Sequence, residues 1–317
     1  PACAQTRQQD EAASDATASA AASTAEAASV GITGTVTTDE AGRTHIPAHS
    51  ASIPAGAPSR ADMWAIDVSG GYSTRDSGPK GAFAAAALTR QLGRTYVRAA
   101  LTGYRSTVNQ TDMALPSTYV VGSLGVGGNY NNWVFDAWAS YGWQHYGQIE
   151  SAYGARASTT SSGSPYISVG GDAGRILQVT PRLFLTPTVS VSYAYDRLLR
   201  PSYDTSLFPD FQSSEPAWTG VAALRLDQKV GASGQHYIGL AASWHVTNNA
   251  TSIVLMPDHT FDGTIRTMHF ADGWGEVAGN INLRLTDRVR LQATVVRSFD
   301  ALAGNATTVG GGLRFGF

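Results

Sequence analysis

From Asp62 onward the chain alternates apolar and polar residues with a period of two. Trp64, Ile66, Val68 and Tyr72 alternate with Ala65, Asp67, Ser69 and Ser73. Leu183, Leu185, Val189, Val191, Tyr193 and Tyr195 alternate with Thr186, Thr188, Ser190 and Ser192. Val277, Ile281, Leu283 and Leu285 alternate with Glu276, Asn280, Asn282 and Arg284, and Val289, Leu291, Ala293 and Val295 with Arg290, Gln292 and Thr294. One apolar face per stretch marks strands rather than helices. The stretches run for about 10 to 14 residues, against about 5 to 6 in soluble domains. Tilted strands that cross a membrane need about 9 to 11. A β-sandwich would bury the same face against a second sheet, but with shorter strands.

The connections alternate in length. Tight turns fall near Leu92-Gly93, Tyr130-Asn131, Pro181 and Asp287, with a slightly longer one at Gly231 to Gly234. Long polar connections fall at 106–117, 147–164, 197–215 and 248–272, and shorter ones at 74–79 and 301–305. Strands are therefore expected near 62–73, 80–91, 94–105, 118–129, 132–146, 165–178, 182–196, 216–228, 235–247, 272–285, 288–300 and 306–317. Short turns at one end and long loops at the other are the habit of outer-membrane barrels. The fold expected over 62–317 is all-β: a transmembrane antiparallel up-and-down barrel of about 12 strands, with both ends on the periplasmic side.

Residues 5–61 read differently. Glu11 to Ser29 is almost all Ala, Ser and Thr, without an apolar stripe to bury. It reads as a weakly held helix or a linker. Ile32 to Thr37 reads as a short strand with a turn at Asp39 to Gly42, and Pro47, Pro54 and Pro58 exclude a continuous helix into the barrel. Residues 1–4 read as a signal-peptide remnant, with Ala2 and Ala4 as the small residues of a cleavage site. A bare chain start and a lipid anchor on Cys3 are the other readings.

Composition agrees with strands whose hydrophobicity is hidden in alternation. Charged residues make up 15% of the chain, where about 25% is usual for a soluble domain. No apolar run approaches the roughly 18 residues of a transmembrane helix. The formal net charge of -2 argues against a nucleic-acid partner. The single cysteine, Cys3, allows no intrachain disulfide.

Strand charges belong inside a barrel, because lipid penalises them. By parity the lumen-facing set is Asp67, Lys80, Arg90, Arg98, Asp136, Asp172, Arg225, Asp227, Glu276, Arg284, Arg290 and Arg314, with Trp138 and Trp274 beside them. Such a set builds either a polar conduit or a salt-bridged interior. Trp64, Tyr72, Trp133, Tyr141, Trp143, Tyr195, Trp218 and Trp244 cluster near strand ends, where aromatic rings meet the membrane interface. The terminal strand carries Val309, Gly311, Leu313, Phe315 and Phe317 on one parity and ends on the aromatic. It resembles the C-terminal strand that bacterial outer-membrane barrels present to their assembly machinery. No catalytic arrangement stands out: Ser243 and His245 lie two apart on one strand and share a face, and Ser140 and His145 form no pattern. No metal spacing, phosphate loop, nucleophile elbow or cofactor motif is present in the sequence.

The run Leu183-Phe184-Leu185-Thr186-Pro187-Thr188-Val189-Ser190-Val191-Ser192-Tyr193 resembles the L-x-L-x-P-x-x-x-x-x-Y hairpin of autotransporter translocator domains. In that family a long loop precedes the last three strands, and His259 to Ala271 occupies its place. Gly279-Asn280-Ile281-Asn282-Leu283, Leu291-Gln292-Ala293 and the Phe-terminated strand follow. The resemblance implies a 12-stranded barrel with an N-terminal segment through its pore and a passenger delivered to the cell surface. Residues 5–61 are short for a passenger, and Pro54 and Pro58 stand where the family's pore helix joins the first strand. The expected location is the Gram-negative outer membrane. The expected partners are its lipid bilayer, the barrel-assembly machinery and the chain's own N-terminal segment. A translocator or anchor, a passive porin-like channel with a periplasmic tail or plug, and a structural docking barrel are the competing functions; an enzyme is not expected.

Overall fold

The computed structural model describes residues 37–38, 44–45, 64–76, 80–110, 113–202, 204–206, 209–231, 236–255, 266–286, 288–302 and 304–317. The N-terminal expectations thus lie almost wholly outside the described residues. The exception is an antiparallel pairing of Thr37–Thr38 with Thr44–His45.

Twelve long strands build the barrel: β1 Trp64–Arg75, β2 Lys80–Leu92, β3 Thr95–Gln110, β4 Met113–Tyr130, β5 Trp133–Tyr146, β6 Gly163–Arg175, β7 Leu183–Arg200, β8 Phe211–Val230, β9 His236–Leu255, β10 Arg266–Arg284, β11 Val289–Phe299 and β12 Ala306–Gly316. Each pairs antiparallel with its neighbour in sequence, and β12 pairs with β1 from Ala306↔Arg75 to Gly316↔Ala65. Trp64 and Phe317 complete the seam, each backbone N–H donating to the other's carbonyl. The sheet has no free edge along this seam, as a lipid-embedded sheet requires.

The turns at one end are tight. Asn131 and Asn132 both take positive φ (52° and 66°), the conformation of a two-residue turn between right-twisted strands. Gly93 and Gly231 supply positive φ at two further turns of that end. At the opposite end the strands outrun the sequence expectation. Segments 106–117, 197–215 and 248–272, expected as loops, are partly strand: β3 and β4 pair up to Gln110↔Met113, β7 and β8 up to Arg200↔Phe211, β9 and β10 up to Leu255↔Arg266. Above the bilayer neither face meets lipid, so the ladder continues without apolar alternation. A small hairpin, Ile149–Ser151 with Gly154–Arg156, adds to Met113 and Ala114 within the connection expected as loop 147–164. Strand β6 ends at Arg175, whose register falls opposite Pro187, a residue with no N–H to give the ladder; after Ile176, Leu177–Thr180 resumes pairing with β7.

The two faces separate cleanly. Val68, Leu124, Val126, Val189, Leu240 and Val295 point outward and are exposed. Every aromatic expected at the interface shares that parity, with Trp133 and Trp143 at opposite ends of β5. Inside, large residues gather on one wall: Phe83, Tyr104, Tyr119, Val121 and Tyr166 form a buried cluster across β2, β3, β4 and β6. Tyr119 and Tyr166 meet edge-to-face with ring centroids 6.2 Å apart. Trp138 from β5 lies over Gly170 on β6, where a Cβ would strike the indole. The inner face of β8 to β12 instead carries small half-exposed residues such as Ala223, Ala241, Thr294, Gly310 and Gly312. The inner wall is therefore bulky on one side of the barrel and thin on the other.

Gly170→Val should displace Trp138 and lower barrel stability by about 1 to 3 kcal/mol, the usual cost of overpacking. Urea unfolding in detergent micelles, followed by Trp fluorescence, checks this; an unchanged midpoint would show that the indole moves freely.

Candidate functional site in the barrel lumen

The inward positions of the strands hold most of the charges. Asp67, Arg98, Asp136, Asp172 and Arg314 are buried on inward parity, as is Asp227. Arg225, Glu276, Arg284, Arg290, Trp138 and Trp274 occupy inward positions and are half-buried. Two charges sit otherwise. Lys80 and Arg90 are exposed on the outward parity of β2, so placing them in the lumen is corrected. Strand β2 carries Ala on both faces (Ala82, Ala84 and Ala86 out, Ala85 and Ala87 in), so its sequence does not reveal which parity is apolar. Both charges are at strand ends, where snorkelling reaches the interface, and the Arg90 guanidinium stacks 5.2 Å from the Trp64 ring centroid. Val309, Leu313, Phe315 and Phe317 present their side chains outward, and Gly311 lies between Ala293 and Gly70.

The lumen charges form distinct groups. Arg98 has Asp67, Asp136 and Arg314 as charged neighbours. Asp136 and Asp172 stand directly opposite one another on β5 and β6. On β8 Arg225 grips Asp227, two residues on, through two bonds of 2.8 and 2.9 Å, and Arg225 also reaches Asn280 at 3.3 Å. Side chains two apart on a strand share a face, which is what allows this pairing.

Higher on β9 and β10, Ser243 Oγ lies 3.0 Å from His245 Nε2, and Glu276 Oε2 lies 3.3 Å from that same nitrogen. Trp274 stacks on the His245 ring at 5.0 Å and donates its indole N–H to Glu276 at 3.0 Å. In a serine relay the carboxylate holds the imidazole nitrogen opposite the hydroxyl. Here both partners meet Nε2, so the group ties two strands together and does not line up a nucleophile, a base and an orienting acid. Among the described residues no group of three His, Cys, Asp or Glu could hold a metal ion.

The outer mouth carries two further clusters that sequence reasoning missed. Buried Arg200, at the end of β7, donates to Glu215 at 3.0 Å, to Ser213 at 2.9 Å and to Ser252 at 2.6 Å. His269 and Asn249 hold the other oxygen of Glu215, each at 3.2 Å. Four strands are stitched there. Outside the span, Asp210 takes both terminal nitrogens of Arg156 at 2.7 and 2.8 Å and accepts the N–H groups of Thr159 and Ser202. The Asp210 side chain is 0% exposed and that of Arg156 31%. This ties the 147–162 connection to the one between β7 and β8. Both clusters lie in segments without alternation; only the density of Arg, Asp and Ser there hinted at them.

Burial alone would raise the Asp210 carboxyl, but the Arg156 guanidinium and the two backbone N–H groups outweigh it and hold it at about 2, below its usual 3.8. A depressed carboxyl stabilises above its unfolded value and loses that contribution as pH falls.

A closed, membrane-length, charge-lined antiparallel barrel with short turns at one mouth defines an outer-membrane β-barrel. The autotransporter beta-domain model matches residues 80–296, more than half of the chain, and the chain belongs to that family. It is an outer-membrane protein of the Gram-negative type. Three solved structures are similar in fold. The translocator domain of autotransporter NalP from Neisseria meningitidis has 12% identity over 82% of this chain and 90% of that one, with a TM-score of 0.63. The beta domain of the Bordetella autotransporter BrkA has 15% identity over 81% and 100%, with a TM-score of 0.53. The transport unit of autotransporter AIDA-I from Escherichia coli has 12% identity over 83% and 93%, with a TM-score of 0.51. No curated protein matches the chain.

Limited proteolysis of the folded barrel should leave 147–162 intact above about pH 4 and cut it progressively as pH falls toward about 2, where Asp210 protonates. Asp210→Asn should open the same segment at neutral pH, at a cost of about 1 to 3 kcal/mol for stranding the partners of a buried carboxylate. Equal resistance of both proteins across this range would remove the Asp210 latch from the account.

Proposed function

We propose that this barrel translocates or anchors its own N-terminal segment through its polar lumen, as a non-enzymatic translocator of autotransporter type. The observation that carries the reading is topological. The 63 residues before Trp64 join the barrel at the short-turn, periplasmic mouth, beside the C-terminal Phe317. A chain entering there has a bore lined by Asp67, Arg98, Arg225, Glu276, Arg290 and Arg314. Charged walls favour a polar chain over lipid, and the Ala-, Ser- and Thr-rich stretch at 11–29 brings small side chains to a narrow passage. The family and the translocator and transport-unit barrels of like fold favour the same reading.

The lipid bilayer and the barrel-assembly machinery are the partners this reading requires. Val309, Leu313, Phe315 and Phe317 lie on the outward face of the last strand, open to a partner that would receive the sheet before closure. Deleting Phe317 also removes both of its backbone bonds to Trp64. It should slow membrane assembly, read as loss of the heat-modifiable folded band in outer-membrane fractions. Unchanged assembly would deny these residues a signalling role.

A short epitope placed after Gln5 tests passage directly. Antibody reaching it on intact cells is the expected result. Labelling only after the outer membrane is opened would leave the segment in the periplasm and replace translocation by a plugged channel or docking barrel; ion conductance in planar bilayers would separate those two.

A further inference from the structure

On the outer wall at the short-turn end, two arginines and two aromatic rings form one row across adjacent strands. The Arg94 guanidinium, in the turn before β3, lies 5.3 Å from the Tyr130 ring centroid. Tyr130 is directly opposite Trp133 across the turn between β4 and β5. Trp133 is directly opposite Arg175 on β6, whose guanidinium lies 5.5 Å from the indole centroid. Two backbone bonds fix the row: Asn129 donates to the Arg94 carbonyl, and Ile176 to that of Asn132. Both arginines are exposed, Tyr130 is 61% exposed and Trp133 52%. Arg90 on Trp64 repeats the pairing at the same end. Asp67, Asp136 and Asp172 lie three residues from Trp64, Trp133 and Arg175, yet all three point inward and are buried. The neighbouring acids therefore leave the outward row positive.

Depth places the row at a headgroup layer. Trp133 and Trp143 share the outward face of β5, ten residues apart. That is about 33 Å along the strand and about 25 Å across the membrane at a tilt of about 40°, the height of an apolar band between its aromatic girdles. A guanidinium lying on a ring is held by the ring's quadrupole. Its N–H fork stays free at the edge, and that fork fits a phosphate with two bonds at once. The backbones of Arg94 and Arg175 stand three strand spacings apart, about 14 Å, so each guanidinium takes its own phosphate. A zwitterionic headgroup brings a cation of its own, which this row repels. We propose that Arg94 and Arg175, seated on Tyr130 and Trp133, bind the phosphates of anionic phospholipid in the inner leaflet of the outer membrane. The site is independent of what passes through the lumen.

The test uses the folded full chain in neutral detergent micelles supplied with phosphatidylglycerol or phosphatidylcholine of the same acyl chains, with retained lipid counted by native mass spectrometry. Preferential retention of phosphatidylglycerol is expected. Arg94→Gln with Arg175→Gln should lower that retention about tenfold, the scale of charge-assisted hydrogen bonds. Tyr130→Leu with Trp133→Leu keeps the charges and should also lower it. Arg182→Gln with Arg288→Gln removes equal charge from exposed turn residues of the same end and should leave retention within about twofold. The heat-modifiable band confirms that each variant is folded. Equal retention of the two lipids, or equal loss in the two arginine pairs, would overturn the site. Full displacement of the lipid by millimolar inorganic phosphate would assign the row to a soluble anion instead. In cells, a photo-reactive residue in place of exposed Leu177, beside Arg175, should label phospholipid. Labelling of an acidic periplasmic protein in its place would overturn the lipid assignment.

Discussion

Backbone polarity in lipid governs this molecule. Hydrocarbon offers no partner to an N–H or C=O, and each unsatisfied group there costs several kcal/mol. A sheet can meet that demand only by pairing its first strand with its last. The eleven partners from Ala306↔Arg75 to Gly316↔Ala65, with the reciprocal Trp64 and Phe317 bonds, are that closure. Parity follows from closure, since every strand must turn alternate residues to lipid and lumen. The charges then have one place to go within the span. The charges that take outward parity stand near strand ends: Lys80 and Arg90 on β2, and Arg297 at the outer end of β11, where Asp76 meets it at 2.7 Å beside solvent.

Closure leaves the filling of the bore to side-chain size. A 12-stranded barrel is wider than its side chains fill evenly. Here the aromatics of β2 to β6 pack against one another and against glycines, while β8 to β12 contribute alanine, threonine and glycine. The packed wall supplies rigidity. The thin wall leaves room beside Arg225, His245, Glu276 and Arg290. A polypeptide in such a bore would contact polar groups along one side and aromatic faces along the other.

The strand count, the closed barrel and most lumen charges were legible in the sequence, because lipid on one side imposes strict alternation. Legibility failed where that imposition stops. On β2 alanine serves both faces, so Lys80 and Arg90 were assigned to the wrong side. Beyond the bilayer, β3 with β4, β7 with β8 and β9 with β10 keep pairing through residues that water treats alike, and these stretches read as loops. The Arg200, Glu215 and Ser252 cluster, and the Asp210 latch, lie in those stretches. Apart from the bond of Ser202 to Asp210, their partners are 13 to 54 residues apart in sequence, and no local pattern encodes such distances.

The outer extensions also constrain how anything leaves the barrel. Arg200 and Glu215 stitch four strands at the mouth, and Asp210 pins the 147–162 connection to the neighbouring loop. These bonds rigidify the outer rim over β5 to β10. The span from β11 through β12 to β2 has only short connections, at 300–305 and 76–79. The thin inner wall includes β11 and β12, so the thin side of the wall and the least obstructed part of the rim lie on the same strands. A segment travelling along β11 and β12 would pass from the short-turn mouth to that low rim at the other without crossing the aromatic wall.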